Sequence, residues 1–184
     1  MPKIVDHAKR RIEILESSQD LFATQGYAAL SMRKISTALG VTTGTLYHYF
    51  PNKRSILEAL FSFIQHRDIA EATKNNTPTD TPFVRWQNLR QFIIQREDSL
   101  SKMIQISLEY RRVFPDSSIV LEKLISNYRT AMVTWLFLPD NETGDLMLHL
   151  LFGLLLHRLL APQSCDLESQ LDLLYQQLKR TSSS

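Results

Sequence analysis

Apolar residues recur at three- and four-residue spacing along most of the chain, and the runs stop at glycine, proline and Asn/Asp clusters. This pattern predicts a first helix over about Asp6–Thr24, with Ala8, Ile12, Leu15 and Phe22 in register and Gly26 ending it. A second follows over Met32–Leu39, with Ile35, Ala38 and Leu39 on one face. A third opens at Thr43 and becomes apolar only from its second turn, at Leu46, Tyr47, Tyr49 and Phe50. The fourth, Lys53 to about Thr73, carries Ile56, Leu57, Leu60, Phe61 and Ile64 on one side. Asn75–Pro82 holds two prolines and no large apolar residue, and reads as a loop. Five more helices are predicted: Pro82–Glu97, Ser99–Val113, Ser117–Phe137, Glu142–Ala161 and Asp166–Lys179. With few alternating β-branched runs, the fold class is all-α, about nine helices, three in a head and six in a body.

The segment Leu30–Leu60 is the most informative. Ser31 suits an N-cap, and Gly40 stands where a helix must stop and turn, because glycine takes a left-handed C′ conformation without strain. Val41 gives the turn an apolar plug and Thr42 can cap the next helix. That helix leads with Thr43, Gly44 and Thr45, small polar groups that leave its N-terminus open. Such an end offers N–H groups and partial positive charge to phosphates, and in a helix-turn-helix it is also the part that reaches base edges. Any helical hairpin could place a glycine here; the short second helix, its aromatic tail and the surrounding Arg33, Lys34, Lys53 and Arg54 favour DNA.

These residues resemble the DNA-binding domain of the tetracycline-repressor (TetR) family of bacterial transcription regulators. The resemblance lies in Tyr27 after Gly26, in Ser31, Ile35 and Ala38, in Gly40-Val41, and in Gly44-Thr45-Leu46-Tyr47-His48-Tyr49-Phe50 followed by Asn52-Lys53 and Leu57. It covers about the first third of the chain; beyond that only the helical layout is similar. It implies a helix-turn-helix domain over residues 1–52 and an effector-binding and dimerisation domain over 53–184. The DNA-contact candidates are Ser31, Arg33, Thr42, Thr43, Gly44, Thr45, Tyr47, His48, Tyr49 and Lys53. Tyr47 and Lys53 fall at the family's phosphate-contact positions, and His48 at a variable position facing the groove. The family often has a longer base-reading side chain where Thr43 stands.

The body is read from its own residues. The penultimate helix is apolar on all sides, with Leu146, Leu150 and Leu154 on one face, and must be covered on more than one. The last helix bears a stripe of Leu167, Leu171, Leu174 and Leu178. Leu150, Leu154, Leu167, Leu171, Leu174 and Leu178 are therefore the expected dimer interface, and Gly153 a place for close backbone approach. Two-fold pairing suits DNA reading, since one helix-turn-helix makes too few contacts for useful specificity and a pair spans two half-sites. Trp86, Phe92, Met103, Tyr110, Tyr128, Met132 and Trp135 are candidates for lining the effector pocket that the resemblance implies, and they suit a hydrophobic or aromatic compound.

Composition changes little in this picture. The chain has 184 residues and a net charge of +2, but residues 1–60 hold eight Lys/Arg against five acids, so the head is the basic part. Lys3, Lys9, Arg10 and Arg11 crowd the start of the first helix, against its dipole, and are read as facing an external anion or as a solvated basic face. One cysteine, Cys165, excludes an internal disulfide and suits a reducing cytosol; the N-terminus lacks the apolar core of a signal peptide. Leu146–Leu160 is read as a core helix, short of the ~20 residues that span a bilayer. No acidic pair, His cluster or Gly-rich loop suggests a metal, nucleotide or catalytic centre, so no cofactor and no enzyme activity are expected. The expected function is a homodimeric, cytoplasmic repressor on a pseudo-palindromic operator, released by an unknown small effector. The alternative is a protein of the same fold that binds DNA without such an effector, under a protein partner or architecturally.

Overall fold

The computed structural model describes residues 7–181, apart from the side chains at 118, 178, 180 and 181. Among the described residues the chain forms nine helices: α1 (His7–Gln25), α2 (Met32–Ala38), α3 (Thr43–Tyr49), α4 (Lys53–Thr73), α5 (Pro82–Gln95), α6 (Glu97–Val113), α7 (Ser118–Leu136), α8 (Asn141–Leu160) and α9 (Leu167–Thr181). The local chemistry explains the ends. Ser31, Thr42 and Thr81 each accept an N–H from the first turn that follows, and Asn52 Oδ1 accepts Ser55 N–H at the head of α4. Asp140 caps α8 through Thr143 N–H, and that hydrogen bond holds its carboxyl below the usual carboxylate range. Gly26 (φ +75°) and Gly40 (φ +62°) end the first two helices in the left-handed conformation expected of them. Phe137 does the same for α7 without being glycine (φ +53°), in a turn closed by Leu138 N–H to Val133 O and stacked under the Arg85 guanidinium.

The boundaries shift by one or two residues from the sequence pattern, and at the junction of α5 and α6 the shift moves residues from one helix to the next. Glu97 opens α6 rather than closing α5, because the backbone breaks at Arg96 and places Glu97 and Asp98 at the positive end of the new helix.

The chain divides into two compact units, and it passes between them inside α4, α6 and α7. The first comprises the residues up to Arg67 with Lys102–Leu124. Its core joins Ile14, Leu15 and Phe22 of α1, Ile35 of α2, Leu46 and Phe50 of the α3 region and the buried face of α4, with Tyr110 of α6 fully enclosed. The second comprises Asp68–Ser101 and the chain from Ile125 onward. There α9 packs on both α5 and α8 around Trp86, Leu89, Ile93, Met147, Leu151, Leu167 and Leu171. Gly144 marks the tight approach in this unit, since a Cβ there would lie 2.6 Å from Val133 Cγ2. At Gly153 a Cβ would meet nothing within 4 Å in this chain. By length and composition α8 could cross a membrane, but its Asp145 pairs with Arg129 and its Arg158 with Glu97.

Candidate nucleic-acid interface

The turn between α2 and α3 sets the geometry of the site. Val41 N–H bonds Ser36 O, and Ser36 Oγ meets Thr43 Oγ1 at 3.1 Å, so the start of α3 is pinned to α2 by backbone and side chain together. Leu46 and Phe50 anchor α3 from its far end in the core. What remains outward is its N-terminal turn. Thr42 and Gly44 are exposed, Thr43 and Thr45 half-buried, and Thr42 Oγ1 accepts Thr45 N–H while contacting the Thr45 hydroxyl at 2.8 Å. A Cβ on Gly44 would touch nothing closer than Thr42 Oγ1 at 3.8 Å, so no contact within the chain demands glycine there.

The other candidates surround this turn. Ser31 and Arg33 are exposed at the start of α2, with the Ser31 hydroxyl accepting Lys34 N–H. Tyr47 is 53% exposed, its phenol on the surface, and His48 lies beside it in sequence, also exposed. Tyr49 is half-buried. Lys53 takes a more internal place than a free phosphate ligand: its ammonium donates 2.8 Å bonds to Tyr27 O and Leu30 O and sits 4.1 Å above the Tyr27 ring. Two of its three N–H donors therefore hold the α1–α2 loop, and the third remains for an external acceptor.

Several participants carry no local sequence signal. His7, the first described residue of α1, places Nδ1 3.0 Å from Tyr49 Oη. The Arg11 guanidinium lies over the Phe50 ring, and Arg10 pairs with Glu13; Lys3 lies outside the described residues. Glu109 of α6 accepts Tyr27 N–H at 2.8 Å, and the Tyr27 ring meets Phe114 edge-on. Arg54, read among the basic residues near the turn, is held in an internal network: it bonds Glu58, Ser117 and Tyr110 and stacks on Phe114. Only its i,i+4 spacing to Glu58 was visible in the sequence.

The effector candidates fall in both units. Trp86, Phe92, Tyr128, Met132 and Trp135 belong to the second unit, Met103 and Tyr110 to the first. Tyr110 donates its phenolic proton to Glu58 at 2.7 Å, and burial followed by that carboxylate pushes its ionisation upward. Trp86 is 1% exposed, stacks on Tyr175, and among the described residues its indole N–H has no hydrogen-bond partner. Tyr128 bonds Asp68 through its hydroxyl. Of the dimer candidates, Leu167 and Leu171 are buried within their own unit, Leu154 and Leu174 are half-buried, and Leu150 is exposed. The side chain of Leu178 lies outside the described residues. Among the described residues no group of three or more His, Cys, Asp or Glu side chains could hold a metal ion.

A short third helix fixed to the second, buried from Leu46 to Phe50 and with its N-terminal turn outward, has the layout of a helix-turn-helix. Residues 14–60 match the pattern of the bacterial regulatory proteins of the tetR family. It is 35% identical to the HTH-type transcriptional repressor KstR2 of Mycobacterium tuberculosis H37Rv over 36% of each chain. It is 32% identical to the HTH-type transcriptional repressor AcnR of Corynebacterium jeikeium over 38% of this chain and 35% of that protein. These matches span about a third of the relatives' length. The helical layout extends further. A transcriptional-regulator structure from Pseudomonas aeruginosa PAO1 superposes with a TM-score of 0.80 over 98% of this chain and 94% of its own, at 15% identity. The fatty acid degradation regulator FadR of Bacillus halodurans does so with a TM-score of 0.70 over 91% and 93%, at 17% identity. At these identities the likeness concerns the fold.

Proposed function

We propose that the protein is a homodimeric transcriptional repressor that inserts the N-terminal turn of α3 into the major groove and is released by a small hydrophobic or aromatic effector. The observation that carries this reading is the presentation of Thr42–Thr45: capped, fixed to α2 through Ser36, and outward-facing. The threonine hydroxyls and α3 N–H groups address base edges and phosphates, while Gly44 lets the backbone come close. Ser31, Arg33, Tyr47, His48, Tyr49 and the third N–H of Lys53 hold the flanking backbone. In this reading the residues up to 52 form the DNA-binding domain and 53–184 the effector and dimer domain, and the protein works in the cytoplasm and is not an enzyme.

Support for pairing comes from α8 and α9, where Leu146, Leu150, Phe152 and Leu173 are exposed and Leu154 and Leu174 half-covered. The open space over Gly153 leaves room for a facing helix. Support for an effector comes from the second unit, where Trp86, Phe92, Met132 and Trp135 supply an aromatic and thioether interior, and one fold neighbour was solved as a SmeT–triclosan complex. The test is a thermal-shift screen of hydrophobic and aromatic compounds on the full chain, followed by DNA-release measurements on the compounds that bind. A compound that raises Tm and lowers DNA affinity is the expected result. Compounds that raise Tm while leaving DNA affinity untouched would remove effector control from this reading.

A further inference from the structure

His7, His48 and Tyr49 form a cluster of rings where the start of α1 meets the end of α3. The ring centroids of His7 and His48 are 5.4 Å apart, those of His7 and Tyr49 5.9 Å, and those of His48 and Tyr49 5.0 Å. His7 Nδ1 and Tyr49 Oη are joined at 3.0 Å. Both histidines are exposed. The charged groups of the neighbouring turn in α1 are Lys9, Arg10 and Arg11, with Arg10 paired to Glu13 and Arg11 lying over Phe50, next to Tyr49. From α3 the groups facing His7 are the His48 ring and the Tyr49 phenol. Among the described residues of that turn, Glu13 is the acidic group and it is engaged by Arg10.

We propose that His7, His48 and Tyr49 form a seat for a backbone phosphate of duplex DNA, and that protonation of His7 opens it. This rests on the DNA-binding reading of α3. When the His7 ring is neutral with its proton on Nε2, Nδ1 accepts the Tyr49 O–H, and the phenol has no proton to give a phosphate. The imidazolium carries N–H on both nitrogens. Its new Nδ1–H then donates to the Tyr49 oxygen, the phenolic O–H turns outward, and the Nε2–H, a donor already in the neutral ring, becomes charge-assisted. His48 adds a further imidazole on the same face. A phosphate lowers the free energy of the protonated form, and by linkage the protonated form binds phosphate more tightly. The sign is fixed: DNA binding takes up protons. Affinity is highest at low pH and falls as pH rises.

The three rings are at the surface or half-covered, so their replacement leaves the core intact and the experiment reads binding. Fluorescence anisotropy of the full chain with a labelled random-sequence duplex, at fixed ionic strength between about pH 6 and 8, measures protons taken up from the slope of log affinity against pH. His7→Gln should lower that uptake by about half a proton or more, with an unchanged thermal melt. Tyr49→Phe should weaken binding at the acid end and change little at the alkaline end, where the phenolic proton is already engaged. His66→Gln, on α4, should keep the wild-type slope. A His7→Gln slope equal to the wild-type slope, or a Tyr49→Phe loss equal at both ends, overturns the proposal and leaves DNA binding standing. Absence of duplex binding at every pH overturns the DNA-binding reading as well.

Discussion

Gly44 separates what the fold needs from what a partner needs. The helix would be better served by alanine, which exceeds glycine in helix propensity by up to about 1 kcal/mol, and the chain leaves room for the Cβ. Gly44→Ala is therefore expected to raise Tm slightly while weakening binding to operator DNA, where the methyl group would stand between α3 and the groove. A variant that is more stable and binds DNA as well as wild type would show that α3 does not approach the groove at this turn. The same contrast explains which site residues could be read from sequence. Ser31, Thr42 and Gly40 act on backbone groups within a few positions of themselves, so spacing alone exposes their roles. Lys53 and Arg54 do not. Their charges suggested an external anion, yet Tyr27 and Leu30 carbonyls engage the first, and Glu58, Ser117 and the Phe114 ring the second. His7 gave no signal because its partner is 42 residues away.

At the scale of helices, the end of α1 shows why local rules were sufficient for boundaries and insufficient for contacts. Gly26 was legible as a helix stop. That its missing Cβ also makes room for Glu109 was not: a Cβ would sit 2.9 Å from Oε1, the oxygen that accepts Tyr27 N–H. Gly26→Ala should thus combine left-handed strain with displacement of this carboxylate, lowering stability by about 1–2 kcal/mol in denaturant melts. A wild-type melt would mean that neither the backbone conformation nor the Glu109 contact is needed. Helix starts were recovered closely because Ser31, Thr42, Asn52, Thr81 and Asp140 are good caps with free N–H groups ahead of them. The α5–α6 break was placed late, since Glu97 continues the polar pattern of α5 and only its attraction to a new helix start assigns it to α6.

For the molecule as a whole, the leucines of α8 and α9 divide between two tasks that one apolar stripe cannot distinguish. Leu167 and Leu171 close the interior of the second unit, while Leu150 stays uncovered. Leu150→Glu should leave the melt of the monomer nearly unchanged and shift sedimentation from dimer to monomer, because a charge at the centre of an apolar interface is costly to desolvate. A variant that sediments as the wild type does would place the pairing surface elsewhere. The nine-helix layout was readable because caps and breakers punctuate it; the division into two units was not, since it cuts through continuous helices whose periodicity does not change. The central claim, that paired α3 helices read DNA, is tested most directly by hydroxyl-radical footprinting on fragments selected by the protein from genomic DNA. Two protected half-sites of related sequence are expected on one face of the duplex, centred one helical turn, ~34–36 Å, or a multiple of it apart. A single protected patch, or protection without any sequence preference, would contradict it.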